Sequence, residues 1–380
     1  MKKAAFFVLI ISTLAASCGG QGKIDRIREN GVEVVLNHLE PYKVPHQPST
    51  FDLRPVMAID TENEALAKAG MGEAGEFGVD GQGNITIVAF KNQKNFIYRF
   101  DAQGRLIGSF GRYGQGPGEI EWPFLDRVFD DGRIALTDRM SKYIVFNPNG
   151  NAVQEFRPGT SISYLFPLDD DRFVIQKTAH HKRMSQGVAY QMVLCLSRSD
   201  FSEIRELDHK PTTTEEGKAR FAGFFFWRVA SRHIYIANQD RGYEILDYDL
   251  EGNLRRKIRK EYRPVAPTRE IKESVLGPNV DQPGITDYFP NPLPPIAALF
   301  ADDEGRLFVM TYETGDQPGA FLWDIFSSDG VFIGRKSLDI FWMGLHYGSK
   351  YATMKNGLFY AYQEKENGFR KFVVQRIIWK

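Results

Sequence analysis

NFIYRFDAQGRLIGSFGRYGQGPGE, residues 95–119, reads as two β-strands joined by a tight turn and followed by a glycine-rich crossing. Phe96, Ile97, Tyr98, Arg99 and Phe100 suit a pleated, largely buried surface. Asp101-Ala102-Gln103-Gly104 is turn chemistry, with Gly104 free to take a positive φ. Arg105–Phe110 forms the second strand, and Gly111, Gly114, Gly116, Pro117 and Gly118 carry the chain onward.

The same pattern is rewritten along the chain. One turn signal with its alternating run appears as VDGQGNITIVAF (79–90), VFDDGRIALTD (128–138), PLDDDRFVIQK (167–177), VASRHIYIANQ (229–239), ADDEGRLFVMT (301–311) and TMKNGLFYAYQ (353–363). A second appears as IYRFDAQGRLIGSF (97–110), IVFNPNGNAVQEF (144–156), LCLSRSDFSEIREL (194–207), LDYDLEGNLRRKI (246–258) and WDIFSSDGVFIGR (323–335). The two alternate, so each unit is strand, turn, strand, loop, strand, turn, strand. A four-stranded antiparallel meander repeated at this length is the signature of a β-propeller. The expected fold is all-β, with six four-stranded blades over residues 51–380. The last unit ends one strand short, and FDLRPVMAI (51–59) precedes the first unit with no partner of its own. That strand is expected to complete the last blade and close the ring, leaving only short, protected edges. Two separate β-domains are the competing arrangement, but no long linker divides the chain.

Residues 1–17 read as an export signal: Lys2-Lys3, then an apolar run from Ala4 to Leu14 too short to span a bilayer as a stable helix. Leu14-Ala15-Ala16-Ser17-Cys18 resembles a bacterial lipobox, which implies cleavage before Cys18 and lipid on that residue. An ordinary signal peptide cut after Ala16 or Ser17 is the alternative. Several acyl chains would anchor the protein firmly, where one chain binds only marginally. Gly19 rather than Asp at the next position favours the outer membrane under the enterobacterial sorting rule. Residues 18–50 are expected to be a tether and N-terminal extension, with one short strand near Gly31–Leu36 packed outside the main fold. Cys195, the remaining thiol, lies in an apolar run and reads as a buried structural cysteine.

FDAQGRLIGSFGRYGQGPGE resembles the NHL-type repeat of six-bladed propellers. The run from Gly31 to Lys380 is similar to bacterial 6-bladed β-propeller lipoproteins, through GVEVVLNH, the GQGPGE loop, YDLEGNLRRKIRKEYRPV and LPPIAALFADDEGRLFV. The resemblance implies the fold and the cell envelope as location. It implies no particular reaction.

The 380 residues balance 48 basic against 48 acidic side chains, and no basic stripe is present, so nucleic acid is not an expected partner. Strand order sorts the connections. The short Asp/Gly turns share one face, and the long segments Gly111–Pro123, Gln176–Tyr190, Glu261–Pro295 and Thr311–Gly319 fall on the other, where binding sites concentrate. Arg112, Tyr113, Trp122, Arg139, His180, His181, Tyr288 and Phe289 are the candidate ligand-binding residues, expected to border a mouth at the central channel. Aromatic and cationic groups together suit sugars or acidic ligands. Adjacent His180 and His181 diverge on an extended chain and show no third ligand, so no metal site is expected. GQGPGE lacks the Lys-Ser/Thr of a phosphate loop and reads as a crossing between blades. Pro267–Val275 reads as a short helix capped by Thr268.

The expected function is that of a monomeric, membrane-anchored extracytoplasmic lipoprotein binding a glycan, peptide or envelope protein, with no catalytic residue and no cofactor. The alternative is a metal-dependent propeller hydrolase or lyase of the lactonase type, with Ca²⁺ or Zn²⁺ held by the inner ends of the blades.

Overall fold

The computed structural model describes residues 24–45, 47–90, 95–139, 141–158, 162–185, 187–215, 225–276, 289–317, 319–340, 352–365 and 370–380. Cys18, the signal segment and Tyr288 lie outside them. Three strands precede the blades: β1 (Asp25–Glu29), β2 (Val32–Asn37) and β3 (Phe51–Asp60). Six antiparallel sheets follow the repeat units, each beginning at its innermost strand: Glu73–Val79, Pro123–Val128, Ile162–Pro167, Phe225–Ala230, Ala298–Ala301 and Ala352–Lys355 for blades 1 to 6. The sixth sheet takes β3 as its outermost strand, paired antiparallel to Arg370–Trp379 from Phe51↔Trp379 to Asp60↔Lys371. The ring is closed as the sequence implies. Pro55 sits on this outer edge, where its missing N–H costs no ladder bond.

The turn chemistry explains the repeat. Asp101 Oδ1 accepts from the backbone N–H of Gln103 (3.0 Å) and Arg105 (2.9 Å), and Gly104 takes φ 78°. Asp80 repeats the arrangement with Gln82 and Asn84. An Asx turn ending in a left-handed glycine adds one residue to the hairpin, and the register breaks there, as at Arg99/Phe100 and Asp247/Tyr248.

Apolar clusters fill the seams between successive blades. Alternation decides which seam each side chain enters: Ile134, Leu136, Ile144 and Phe146 face blade 1, while Ala135, Tyr143 and Val145 face blade 3. Cys195 is fully buried in the seam between blades 2 and 3, and burial pushes its thiol up to about 12, which makes it unreactive. The crossing 111–123 is tied down by Lys142, whose Nζ donates to the carbonyls of Gln115, Gly116 and Glu119. The helix runs Arg269–Leu276, and Thr268 Oγ1 accepts from Ile271 N at 3.3 Å.

Two stretches differ from expectation. Within 18–50 the chain forms a hairpin of two strands rather than one, and β2 runs parallel to the outermost strand of blade 4, making a six-stranded sheet. Gln176–Tyr190 is not a loop: Arg172–Met184 and Gly187–Arg198 continue as a paired ribbon beyond the blade.

Glu29 of β1 meets Arg259 at 2.5 and 2.8 Å and Lys257 at 3.2 Å. Hydrogen bonds from Arg259 and then Lys257 hold its carboxyl at about 2, below the ordinary 4.5. A depressed folded value means the contribution is present above pH 4.5 and lost as pH falls toward 2. Glu29→Gln should lower the melting temperature by no more than a few degrees at neutral pH, with no difference from wild type near pH 2. A difference that persists at the lowest pH would contradict this assignment.

Candidate functional site

The innermost strands of all six blades surround a central channel of about 730 Å³. Two of its carboxylates come from irregular places in those strands. Glu76 and Asp126 both fall at register breaks, between Ala74 and Phe77 in blade 1 and between Leu125 and Arg127 in blade 2. A bulge re-aims a side chain and frees a backbone amide. Glu76 uses its carboxylate on such an amide, accepting from Leu125 N of the next blade. Asp126 accepts from Thr137 Oγ1 at 3.4 Å.

Two arginines line the same space. Arg127 Nη1 donates to Pro167 O (2.8 Å) and Leu168 O (2.9 Å), and its guanidinium lies 4.7 Å from the Phe129 ring and 5.4 Å from the Phe166 ring. Arg228, on the innermost strand of blade 4, makes one hydrogen bond, from Nη1 to the carbonyl of its neighbour Trp227 at 3.3 Å. Among the described residues no carboxylate comes within ion-pair distance of it. Burial, only partly offset by the field of Glu76, lowers Arg228 to about 10. Beside it, Trp227 Nε1 donates to Gln176 Oε1 at 3.3 Å. Among the described residues no group of three or more His, Cys, Asp or Glu side chains is arranged to hold a metal ion.

The residues singled out from the sequence lie elsewhere. Trp122 and Arg139 do meet: the guanidinium lies 4.0 Å from the indole centre, and Trp122 is 53% exposed. Asp138 positions them by accepting from Glu121 N (3.0 Å) and Trp122 N (2.9 Å). Its carboxylate therefore holds the preceding crossing, while its carbonyl accepts from Ser141 N and Oγ in the loop after it. Arg139 itself takes φ 43°, a left-handed conformation that costs energy in a residue with a side chain. Arg112 and Tyr113 lie at the outer end of blade 1, away from the mouth. The backbone of Arg112 forms an isolated parallel β-bridge with Glu119, and the Tyr113 hydroxyl donates to Ala89 O at 3.2 Å while its ring packs against Phe96. His180 and His181 ride on the projecting ribbon, with His181 stacked on Tyr190 at 5.9 Å. Phe289 is buried in the core between blades 5 and 6 and borders no mouth. The described candidates, apart from Phe289, share one face but not one site. Nearby, Glu119 accepts from Gly116 N and Glu121 from Gln115 Nε2.

No protein-family model matches the chain, and no curated protein sequence does. Among solved structures, a member of the duf4221 family from Bacteroides vulgatus is similar at 11% identity, covering 88% of this chain and 100% of that one, with a TM-score of 0.52. Puromycin hydrolase matches at 13% identity over 83% of this chain and 54% of that one, with a TM-score of 0.40. The β-propeller domain of Swd1 from Myceliophteria thermophila matches at 10% identity over 80% and 96%, with a TM-score of 0.38. At such identities likeness concerns the fold and not the activity, and only the first score is high enough to support it. The chain is an all-β, six-bladed propeller of four-stranded antiparallel blades, with a channel on its axis.

Proposed function

We propose that this chain is a lipid-anchored extracytoplasmic propeller that binds a glycan, peptide or envelope protein on the face carrying its long connections. The observation that carries this reading is the exposed Trp122–Arg139 stack, set on a rigid scaffold by Asp138. An exposed aromatic over a guanidinium offers an apolar face and unspent donors together, which suits sugar rings and acidic groups. The ribbon Arg172–Arg198 projects from the same face and enlarges the surface a partner can meet.

Trp122→Ala and Arg139→Ala should each weaken retention on a glycan array or an envelope pull-down by about 2 kcal/mol, as for a central contact residue. The melting temperature should stay nearly unchanged, since exposed positions away from caps and cores shift stability by only about 0.5 kcal/mol. A large stability loss with intact retention would mean that the pair packs the blade and contacts nothing. For the anchor, Cys18→Ser should move the protein from the membrane to the soluble fraction or block its processing, with the propeller still folded. Unchanged membrane fractionation of the mutant would overturn the lipid anchor.

A further inference from the structure

We propose that the central channel binds a small monocarboxylate with an apolar body, its carboxylate held by Arg228 and Gln176. This site is separate from the loop face of the preceding reading.

Arg228 supplies the charge. It donates one hydrogen bond, to Trp227 O at 3.3 Å, and among the described residues no carboxylate pairs with it. Even lowered to about 10 it remains cationic at neutral pH. Arg228 is only partly exposed and has donors beyond the Trp227 bond, so an anion in the channel can take charge-assisted hydrogen bonds from it.

Gln176 supplies a second donor. An indole N–H can only donate, so the bond from Trp227 fixes Oε1 of the amide toward the ring. The NH₂ group is left to the other side. Its described acceptor there is the Met192 sulfur at 3.9 Å, a weak partner for a side chain that is 8% exposed. Both Gln176 and Arg228 line the channel.

The remaining charges select the ligand. Arg127 is already spent on two carbonyls and Lys355 on Val79 O and Asp130, which leaves Arg228 among the described cations of the inner strands. Glu76 and Asp126 line the same channel and repel a second negative charge. A monoanion fits where a phosphate dianion does not. Tyr164, Met192 and Phe226 make the neighbouring wall apolar, and about 730 Å³ lies within the usual range for a small-molecule site.

Calorimetric titration of the full-length protein with acetate, hexanoate and phenylacetate, beside phenylacetamide and inorganic phosphate, tests the assignment. Hexanoate or phenylacetate should bind, with phenylacetamide and phosphate at least about tenfold weaker. Arg228→Gln should erase the preference for phenylacetate over its amide, and Gln176→Leu should weaken phenylacetate by a smaller factor. The comparison of acid with amide needs only the wild type, so it decides even if Arg228→Gln fails to fold. Equal affinity for acid and amide, tighter binding of phosphate, or no binding of any of the three carboxylates would overturn the proposal. None of these titrations uses the loop face, so a failed glycan array or pull-down leaves this result standing, and the reverse holds.

Discussion

A chain that begins at residue 62, lacking β3, should lose cooperative unfolding and aggregate. Without β3 the long strand Arg370–Trp379 becomes the exposed edge of blade 6, a row of unpaired N–H and C=O groups ready to recruit another chain. The loss is also one of packing. Phe51 is fully buried, its ring 4.9 Å from Trp379 and 6.1 Å from Phe308, so β3 ties blade 6 to blade 5. Phe51→Ala alone should cost about 3–5 kcal/mol in denaturant unfolding. A truncate with the same midpoint and a single sharp transition would contradict the closure.

The second large effect is expected at Asp324, a fully buried carboxylate in the seam between blades 4 and 5. It accepts from Arg335 Nε at 2.6 Å and from the Tyr243 hydroxyl at 2.7 Å, and Lys260 Nζ lies 3.4 Å away. Arg335 also reaches Glu313 with both terminal nitrogens. Burial lowers Lys260, which sits 4.5 Å from the Phe332 ring centre. Removing the central anion leaves Lys260 buried and the partly exposed Arg335 with Glu313 as its remaining carboxylate. Breaking a buried pair from one side costs about 3–5 kcal/mol, so Asp324→Ala should be among the most damaging single changes. Asp324→Asn keeps an acceptor for Tyr243 and should fall between Ala and wild type. A loss under about 1 kcal/mol for Asp324→Ala would mean that the seam is held by its apolar residues alone.

The sequence shows the ring because the turns are local. Asp101 and Gly104 solve their own backbone problem within five residues, so the solution can be copied from blade to blade and read off the chain. Closure by 51–59 is legible by counting strands. The misread segments share another cause. Asp25–Glu29 and the ribbon around His180–His181 are exposed on both sides, so neither alternation nor apolarity marks them as strands. Hairpin pairing makes them strands: β1 pairs with the adjacent β2 and is tied to the distant Arg259 and Lys257 through the Glu29 side chain, and the ribbon pairs with itself from Ala179 to Gln191. The channel groups were hidden for a related reason. Glu76 and Asp126 sit at bulges, and Arg228 follows Phe225-Phe226-Trp227, a run that reads as core. One signal was available. A charge placed inside the short first strand of a blade has nowhere to point but a seam or the axis. Among the proposed loop residues, exposure and partner now separate Trp122 and Arg139 from Phe289, a distinction that spacing along the chain does not carry.

Native-state hydrogen exchange at the amides of β3 tests the central claim, a ring closed by its own beginning, most directly. Residues 51–60 should exchange together with Arg370–Trp379 and at the same free energy, as one cooperative unit with the rest of blade 6. Fast exchange at 51–60 beside slow exchange at 370–379 would contradict it, because β3 would then be an appendage and the sixth blade a sheet of three strands.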